Sequence, residues 1–233
     1  MVRDPEVDAA CGAEVRETGA YAFVPGKKRE KQRYGYFLAK RLFDFFASLF
    51  ALAVLSPLFL VTSVLIRLDS AGPAIYSQTR VGRNGRPFTM YKFRSMCQGA
   101  EGLLEGLRSR NEMDGPVFKI ARDPRVTRVG SFLRRTSVDE LPQLVNILRG
   151  EMSLVGPRPP LPAEVERYTP YQLQRLNVTP GLTCYWQIGG RSDTSFEEWV
   201  DLDLKYIGEA GVLTDLRTIL KTVPAVLRGK GAY

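Results

Sequence analysis

The chain has 233 residues, with 33 Lys and Arg against 25 Asp and Glu for a net charge of +8; this balance suits anionic partners such as phosphates, nucleic acid or an acidic membrane surface. It contains no histidine, which excludes a Ser-His-Asp or Cys-His site and any His-ligated zinc, so acid–base and nucleophilic work falls to carboxylates, Lys, Tyr, Cys or Ser. Cys11, Cys97 and Cys184 share no metal-ligand spacing, and an odd count does not point to a disulfide framework.

Residues 1–36 are polar, charged and aperiodic, and read as a disordered tail. Its end, KKREKQR at 27–33, is either a solvated charge run or a juxtamembrane patch for anionic lipid. The apolar stretch that follows begins too late for a cleavable signal peptide. From Phe45 to Ile66 there are 22 residues without a charge. One straight helix of that length would be about 33 Å long, enough to cross a hydrocarbon core. Ser56-Pro57 interrupts it, and proline removes a backbone donor and clashes with the preceding turn. Both flanks are basic, Lys40 and Arg41 before and Arg67, Arg80, Arg83 and Arg86 after, so charge gives no reason to place the ends on opposite sides. A helix that enters, turns at Ser56-Pro57 and leaves on the same face satisfies both observations. Ser56 is placed to satisfy a freed carbonyl. A single kinked span and a buried core helix are the alternatives.

Beyond Arg67 the pattern becomes that of a globule. PAIYSQTRVG and RPFTMYKFRSM read as β segments around a turn at Asn84-Gly85. Residues 97–110 read as a helix, the segment from Asp114 to Gly130 as a loop, and a further helix runs to Arg135. Ser137 followed three residues later by Glu140 is a capping-box signature, with Leu141, Leu144, Val145 and Leu148 on one helical face. Pro142 fits only near a helix start, so that boundary could shift. VTPGLTCYWQIGGRS (178–192) is turn-rich and aromatic. The final stretch from Ser195 has amphipathic helical spacing, with Lys205, Arg217, Lys221 and Arg228 among apolar residues. It suits a packed core helix or one lying on lipid headgroups.

The chemistry concentrates between Leu133 and Pro159. Asp139 and Glu140 are adjacent, with Arg134 and Arg135 upstream and Arg158 downstream. Glu140 could be an ordinary helix cap, Asp139 a helix-dipole acid, and the arginines, Arg135 above all, a solvated face. A functional reading explains them together. A carboxylate can attack a phosphoryl centre and split one transfer into two steps. Mg²⁺ prefers carboxylate and phosphate oxygens, and guanidinium forks bind phosphate. Prolines on both sides of Arg158 stiffen its backbone.

The motifs KRLFDFFASLFALAVLSPLFL (40–60), YKFRSM (91–96), RRTSVDELPQLVNIL (134–148), MSLVGPRP (152–159) and PGLTCYWQIGGRS (180–192), in that order, resemble the monotopic phosphoglycosyl transferases of the bacterial sugar transferase family. The resemblance covers roughly residues 37–232. It implies an α/β, mostly α, fold: a re-entrant membrane helix over 37–68 broken at Ser56-Pro57, then a catalytic globule over 69–233 with short β segments and interfacial amphipathic helices. It also implies a place on the cytoplasmic face of the bacterial inner membrane, among its lipids. The family nucleophile matches Asp139, which takes a phosphosugar from a UDP-sugar and releases UMP. Polyprenyl (undecaprenyl) phosphate then accepts it as a polyprenyl diphosphate sugar, the priming step of glycan synthesis. Mg²⁺ is the implied cofactor, held by Asp139, and Glu140 completes the dyad. Lys92, Arg134, Arg158 and Asp215 are the implied substrate- and phosphate-binding positions. No nucleic-acid motif is present: no zinc spacing, no aromatic RNA-binding signature, no heptads. The sugar and any homo-oligomer are left open. The rival readings are a membrane-tethered basic scaffold and a membrane-associated phosphohydrolase using the same dyad.

Overall fold

The computed structural model describes residues 16–17, 22–23, 34–189 and 194–228. The expected tail, with its KKREKQR run, lies outside these residues apart from a short antiparallel pairing of β1 (Arg16–Glu17) with β2 (Ala22–Phe23) and the last three positions, 34–36, which are helical.

The apolar run is carried by two helices, α1 (Tyr34–Val54) and α2 (Ser56–Asp69), bent by 61°. Pro57 has no N–H for the carbonyl of Ala53, four residues back. Ser56 Oγ donates to that carbonyl at 2.8 Å, so the break leaves no orphaned acceptor there. Among the described residues no single helix is long and apolar enough to cross a membrane, while the bent pair together is.

One side of α1 is polar and docked. Asp44 accepts from the backbone N–H of Leu154 at 3.0 Å. Arg41 donates to the carbonyls of Ile147 and Leu148 at 2.7 and 2.8 Å. The other side is apolar and exposed, with Phe46 63%, Phe50 71% and Leu60, on α2, 68% accessible.

The segment after α2 forms the expected hairpin. β3 (Ile75–Val81) pairs antiparallel with β4 (Pro87–Phe93), in register from Ile75 opposite Phe93 to Val81 opposite Pro87. Asn84 and Gly85 both hold positive φ, 57° and 74°, which is why that dipeptide marks the turn. The helix expected over 97–110 is shorter: α3 (Leu104–Leu107) and a 3₁₀ turn over Arg108–Arg110. Gly99 turns at φ +75° and keeps the preceding residues out of a helix. The loop that follows leads into α4 (Arg128–Thr136).

The capping box at Ser137 does not form. Ser137 sits at φ 57° and ends α4, its N–H donating back to the carbonyls of Arg134 and Leu133. Val138–Glu140 is a 3₁₀ turn, and α5 (Gln143–Arg149) starts only after Pro142. The later start shifts the helical phase. Of the expected face only Leu144 is buried; it is joined by Gln143, Asn146 and Ile147, while Leu141, Val145 and Leu148 are partly exposed.

β5 (Ser153–Val155) pairs in parallel with β6 (Gly181–Thr183), two strands far apart in sequence. Between them lie the single-turn helices α6 (Pro162–Val165) and α7 (Pro170–Leu173). After β6 come α8 (Tyr185–Gly189), α9 (Phe196–Glu209) and α10 (Val212–Arg228). The fold is therefore α/β and mostly helical, with three two-stranded sheets among the described residues.

Packing ties these pieces into one frame. Ala51, Leu52 and Leu55 of the bent pair pack on Met90, Leu144, Ile147 and Met152. Phe59 packs on the cluster of Ile66, Ala74, Phe93 and Leu133. A separate cluster under α9 holds Trp186, Phe196, Trp199 and Val200.

Gly130 lets α4 lie directly on the backbone of Ser95; a Cβ there would overlap the Ser95 carbonyl. Alanine normally strengthens a helix relative to glycine. Here Gly130→Ala is expected to destabilise by about 1–3 kcal/mol through overpacking. Ser131→Ala, at the exposed neighbouring position, is the control that should leave the thermal midpoint unchanged. Equal midpoints for the two variants would contradict this reading of the contact.

Candidate active site

Four segments bring their polar side chains to one place. β4 supplies Lys92, the 3₁₀ turn supplies Asp139 and Glu140, the loop after β5 supplies Arg158, and α8 supplies Gln187. Asn146 locks the first two segments together. Its Oδ1 accepts from Tyr91 N–H at 3.1 Å and its Nδ2 donates to the Thr89 carbonyl at 2.7 Å. The start of α5 is thereby pinned to β4 beside Lys92.

Glu140 is held rather than capping. Lys92 Nζ donates to Oε1 at 2.9 Å, Arg158 Nη1 lies 3.7 Å from the same oxygen, and Gln187 Nε2 donates to Oε2 at 3.2 Å. Both carboxylate oxygens are engaged, which fixes the group's orientation. Asp139 is buried, 8% exposed. Burial pushes its carboxyl up, to about 6; Lys92 pulls it down and Glu140 pushes it further up. Its charged form is therefore poorly solvated where it stands. Burial also lowers Lys92 and Arg134 from their usual ranges. Arg134 Nε donates to Ser95 Oγ at 2.9 Å, the residue on which Gly130 rests.

A small cleft opens beside this cluster, lined by Lys92, Glu140, Gln143, Arg158, Trp186 and Gln187 among others. Lys92 and Arg158 line it together with the Glu140 carboxylate, so the cleft offers cations to an anionic ligand.

The sequence matches the family model of the bacterial sugar transferases over residues 35–229, the bent helix pair included. The chain belongs to the bacterial sugar transferase family. Among its curated relatives is the galactosyl transferase CpsE of Streptococcus agalactiae, 47% identical over 86% of this chain and 44% of that protein. The exopolysaccharide production protein ExoY of Sinorhizobium fredii is 42% identical over 94% of this chain and 93% of its own length. The undecaprenyl-phosphate galactose phosphotransferase of Salmonella typhimurium is 43% identical over 83% of this chain and 41% of that protein. This bacterial sugar transferase thus spans less than half of two of these relatives and nearly all of the third.

Of the site residues expected in this sugar transferase, Lys92, Glu140 and Arg158 are in direct contact, and the charges of Asp139 and Arg134 are felt within the same group. Arg135 is exposed, its guanidinium 5.9 Å over the ring of Phe132, as a solvated face would have it. Asp215 stands in another network. It accepts from Tyr36 OH, Lys40 Nζ and Tyr206 OH, each at 2.8 Å, and so ties α10 to α1 rather than joining the acid pair. Ser56 and Pro57 lie at the helix break.

Two contributors were not singled out by motif reasoning. Gln187 is a neutral residue in an aromatic stretch, and only the fold brings it to Glu140. Arg80 looked like one of several flanking arginines, yet it is buried beside Arg158.

Mg²⁺ is commonly held by one or two carboxylates together with substrate phosphates and water. Among the described residues no group of three or more His, Cys, Asp or Glu could hold a metal. The acid pair with a diphosphate ligand is the donor set this chain offers, and Asp139, the member without an ion pair among the described residues, fits that role.

Proposed function

We propose that this chain transfers a sugar 1-phosphate from a UDP-sugar to polyprenyl phosphate at the cytoplasmic face of the bacterial inner membrane. The observation that carries the reading is a buried carboxylate, Asp139, set among Lys92, Arg134 and Arg158 beside an oriented Glu140. The relatives named as galactosyl and undecaprenyl-phosphate galactose transferases support the substrate class.

In the first step an Asp139 oxygen attacks the phosphorus bonded to the sugar. The bond from that phosphorus to the bridging oxygen of the diphosphate breaks, and UMP leaves with the electron pair. In the second step an oxygen of polyprenyl phosphate attacks the same phosphorus. The acyl-phosphate bond breaks, giving the polyprenyl diphosphate sugar and restoring the Asp139 carboxylate. Lys92, Arg134 and Arg158 neutralise phosphate charge throughout. Glu140, held through both oxygens, orients the cationic side chains. Mg²⁺ bound by Asp139 and the phosphates would add to that neutralisation.

The bent pair α1–α2 is the membrane element of this proposal, and 37–68 its boundary. Its exposed face and that of α10, with Leu213 66%, Leu216 47%, Leu220 63% and Val223 57% accessible, form apolar surfaces larger than scattered exposure explains. In a re-entrant arrangement both termini are on the cytoplasmic side. Single cysteines at the two ends, in a chain with Cys11, Cys97 and Cys184 replaced by serine, should react with an impermeant reagent only after the inner membrane is opened. Labelling of one end in intact spheroplasts would establish a span instead.

Enzymatically, UMP release measured across a panel of UDP-sugars with short-chain polyprenyl phosphate and Mg²⁺ tests the assignment. At least one sugar should give acceptor-dependent UMP and a lipid-linked product. Absence of UMP with every donor would favour the scaffold reading.

A further inference from the structure

Arg80 lies on β3 and is 8% exposed. Its Nη1 donates to the carbonyl of Pro159 at 3.1 Å and its Nη2 to Gln78 Oε1 at 2.8 Å, while Nε has no hydrogen-bond partner. Among the described residues it makes no ion pair, although Lys92, Arg158, Arg125 and Arg175 all do. The next residue, Val81, donates its N–H to the carbonyl of Pro160 at 2.9 Å. The strand thus grips the loop at Pro159 and Pro160, just after Arg158, and Arg80 sits beside Arg158.

A buried guanidinium whose bonds go only to neutral oxygens is a costly arrangement. A second guanidinium nearby makes it costlier. Arg158 offers no relief, since its nearest carboxylate, Glu140, is shared with Lys92. Arg158 is 34% exposed, so the rim of the pair is open to a ligand while its base is closed. An anion arriving at Arg158 would compensate both charges at once.

We propose that Arg80 is the buried second charge of an anion site centred on Arg158, built for the phosphate groups of a diphosphate ligand. The assignment deepens the transferase reading and rests on it for the ligand's identity. Arg80 acts from beside the loop: it holds the Pro159 carbonyl and lends positive potential without itself contacting the ligand. Burial, and then the nearby Arg158, lowers the Arg80 guanidinium to about 10, against the opposing pull of Glu164, Tyr76 and Glu140, none of which bonds to it.

The test uses the full chain in detergent with EDTA present and inorganic pyrophosphate as probe. Thermal melting and calorimetric titration are compared for wild type, Arg80→Gln and Arg80→Lys. Arg80→Gln, which removes the unpaired charge, should melt higher than wild type without pyrophosphate and bind it about ten-fold more weakly. Arg80→Lys keeps the charge and should bind within about three-fold of wild type. Should Arg80→Gln fail to fold, the lysine variant decides. Unchanged pyrophosphate affinity in Arg80→Gln overturns the assignment. So does a ten-fold loss in Arg80→Lys, which would put the effect on the Pro159 tie instead of the charge. Failure of the transferase reading shows elsewhere, as absence of UMP release by the wild-type chain.

Discussion

Asp139→Asn is expected to abolish sugar-phosphate transfer, by a factor on the order of 10³ or more, as removal of a covalent nucleophile does. Intact-mass measurement after incubation with a UDP-sugar alone should find no sugar-phosphate adduct on the variant. The same variant should melt at or above the wild-type midpoint. Its side chain is buried, and burial opposes the charged form of Asp139 strongly enough to raise the carboxyl to about 6. A neutral amide of the same shape relieves that opposition. Loss of activity with retained stability separates a chemical role from a structural one. Normal turnover by Asp139→Asn would end the covalent mechanism.

The second large effect falls on stability, well away from Asp139. Arg175 and Asp203 form a buried ion pair in the cluster under α9, their side chains 2% and 0% exposed. Arg175 Nε and Nη2 both reach Asp203 Oδ2, at 2.8 and 2.7 Å, and Nη1 donates to Tyr168 OH at 2.9 Å. The guanidinium lies over three rings, 5.1 Å from that of Trp199, 5.7 Å from Tyr168 and 5.9 Å from Phe196. Asp203→Ala strands this charge among aromatic side chains, and about 3–5 kcal/mol of stability should be lost. Chemical denaturation in detergent, followed by the fluorescence of the stacked Trp186 and Trp199, measures it. A loss below about 1 kcal/mol, the range of an exposed pair, would show that water reaches the pair.

How much of this was legible in the sequence follows from the range of the interactions. The β3–β4 hairpin was legible because Asn84-Gly85 supplies two adjacent positive-φ positions between alternating strands. The helix break was legible because Pro57 lacks an N–H, and even the partner of the freed carbonyl, Ser56, could be named. Ser137 was misread because its capping signature is local, while its actual left-handed conformation serves to end α4 and turn the chain toward Lys92. That one residue moved the start of α5 and shifted its buried face, of which only Leu144 was expected. The β5–β6 pairing, the Arg175–Asp203 pair and the hold of Gln187 on Glu140 join segments far apart in the chain, and no local pattern encodes such contacts. Asp215, a motif position expected among the ligand-binding residues, also bonds Tyr36 and Lys40 of α1, a contact between distant segments that its motif does not encode.

The central claim is that Asp139 takes the phosphosugar before the lipid phosphate arrives. The amount of UMP formed per chain when a UDP-sugar and Mg²⁺ are supplied without polyprenyl phosphate tests it most directly. The account predicts a burst of at most one equivalent, with turnover resuming when the acceptor is added. Steady UMP production without acceptor would instead make water the acceptor, and complete dependence of the first equivalent on polyprenyl phosphate would contradict a covalent intermediate on Asp139.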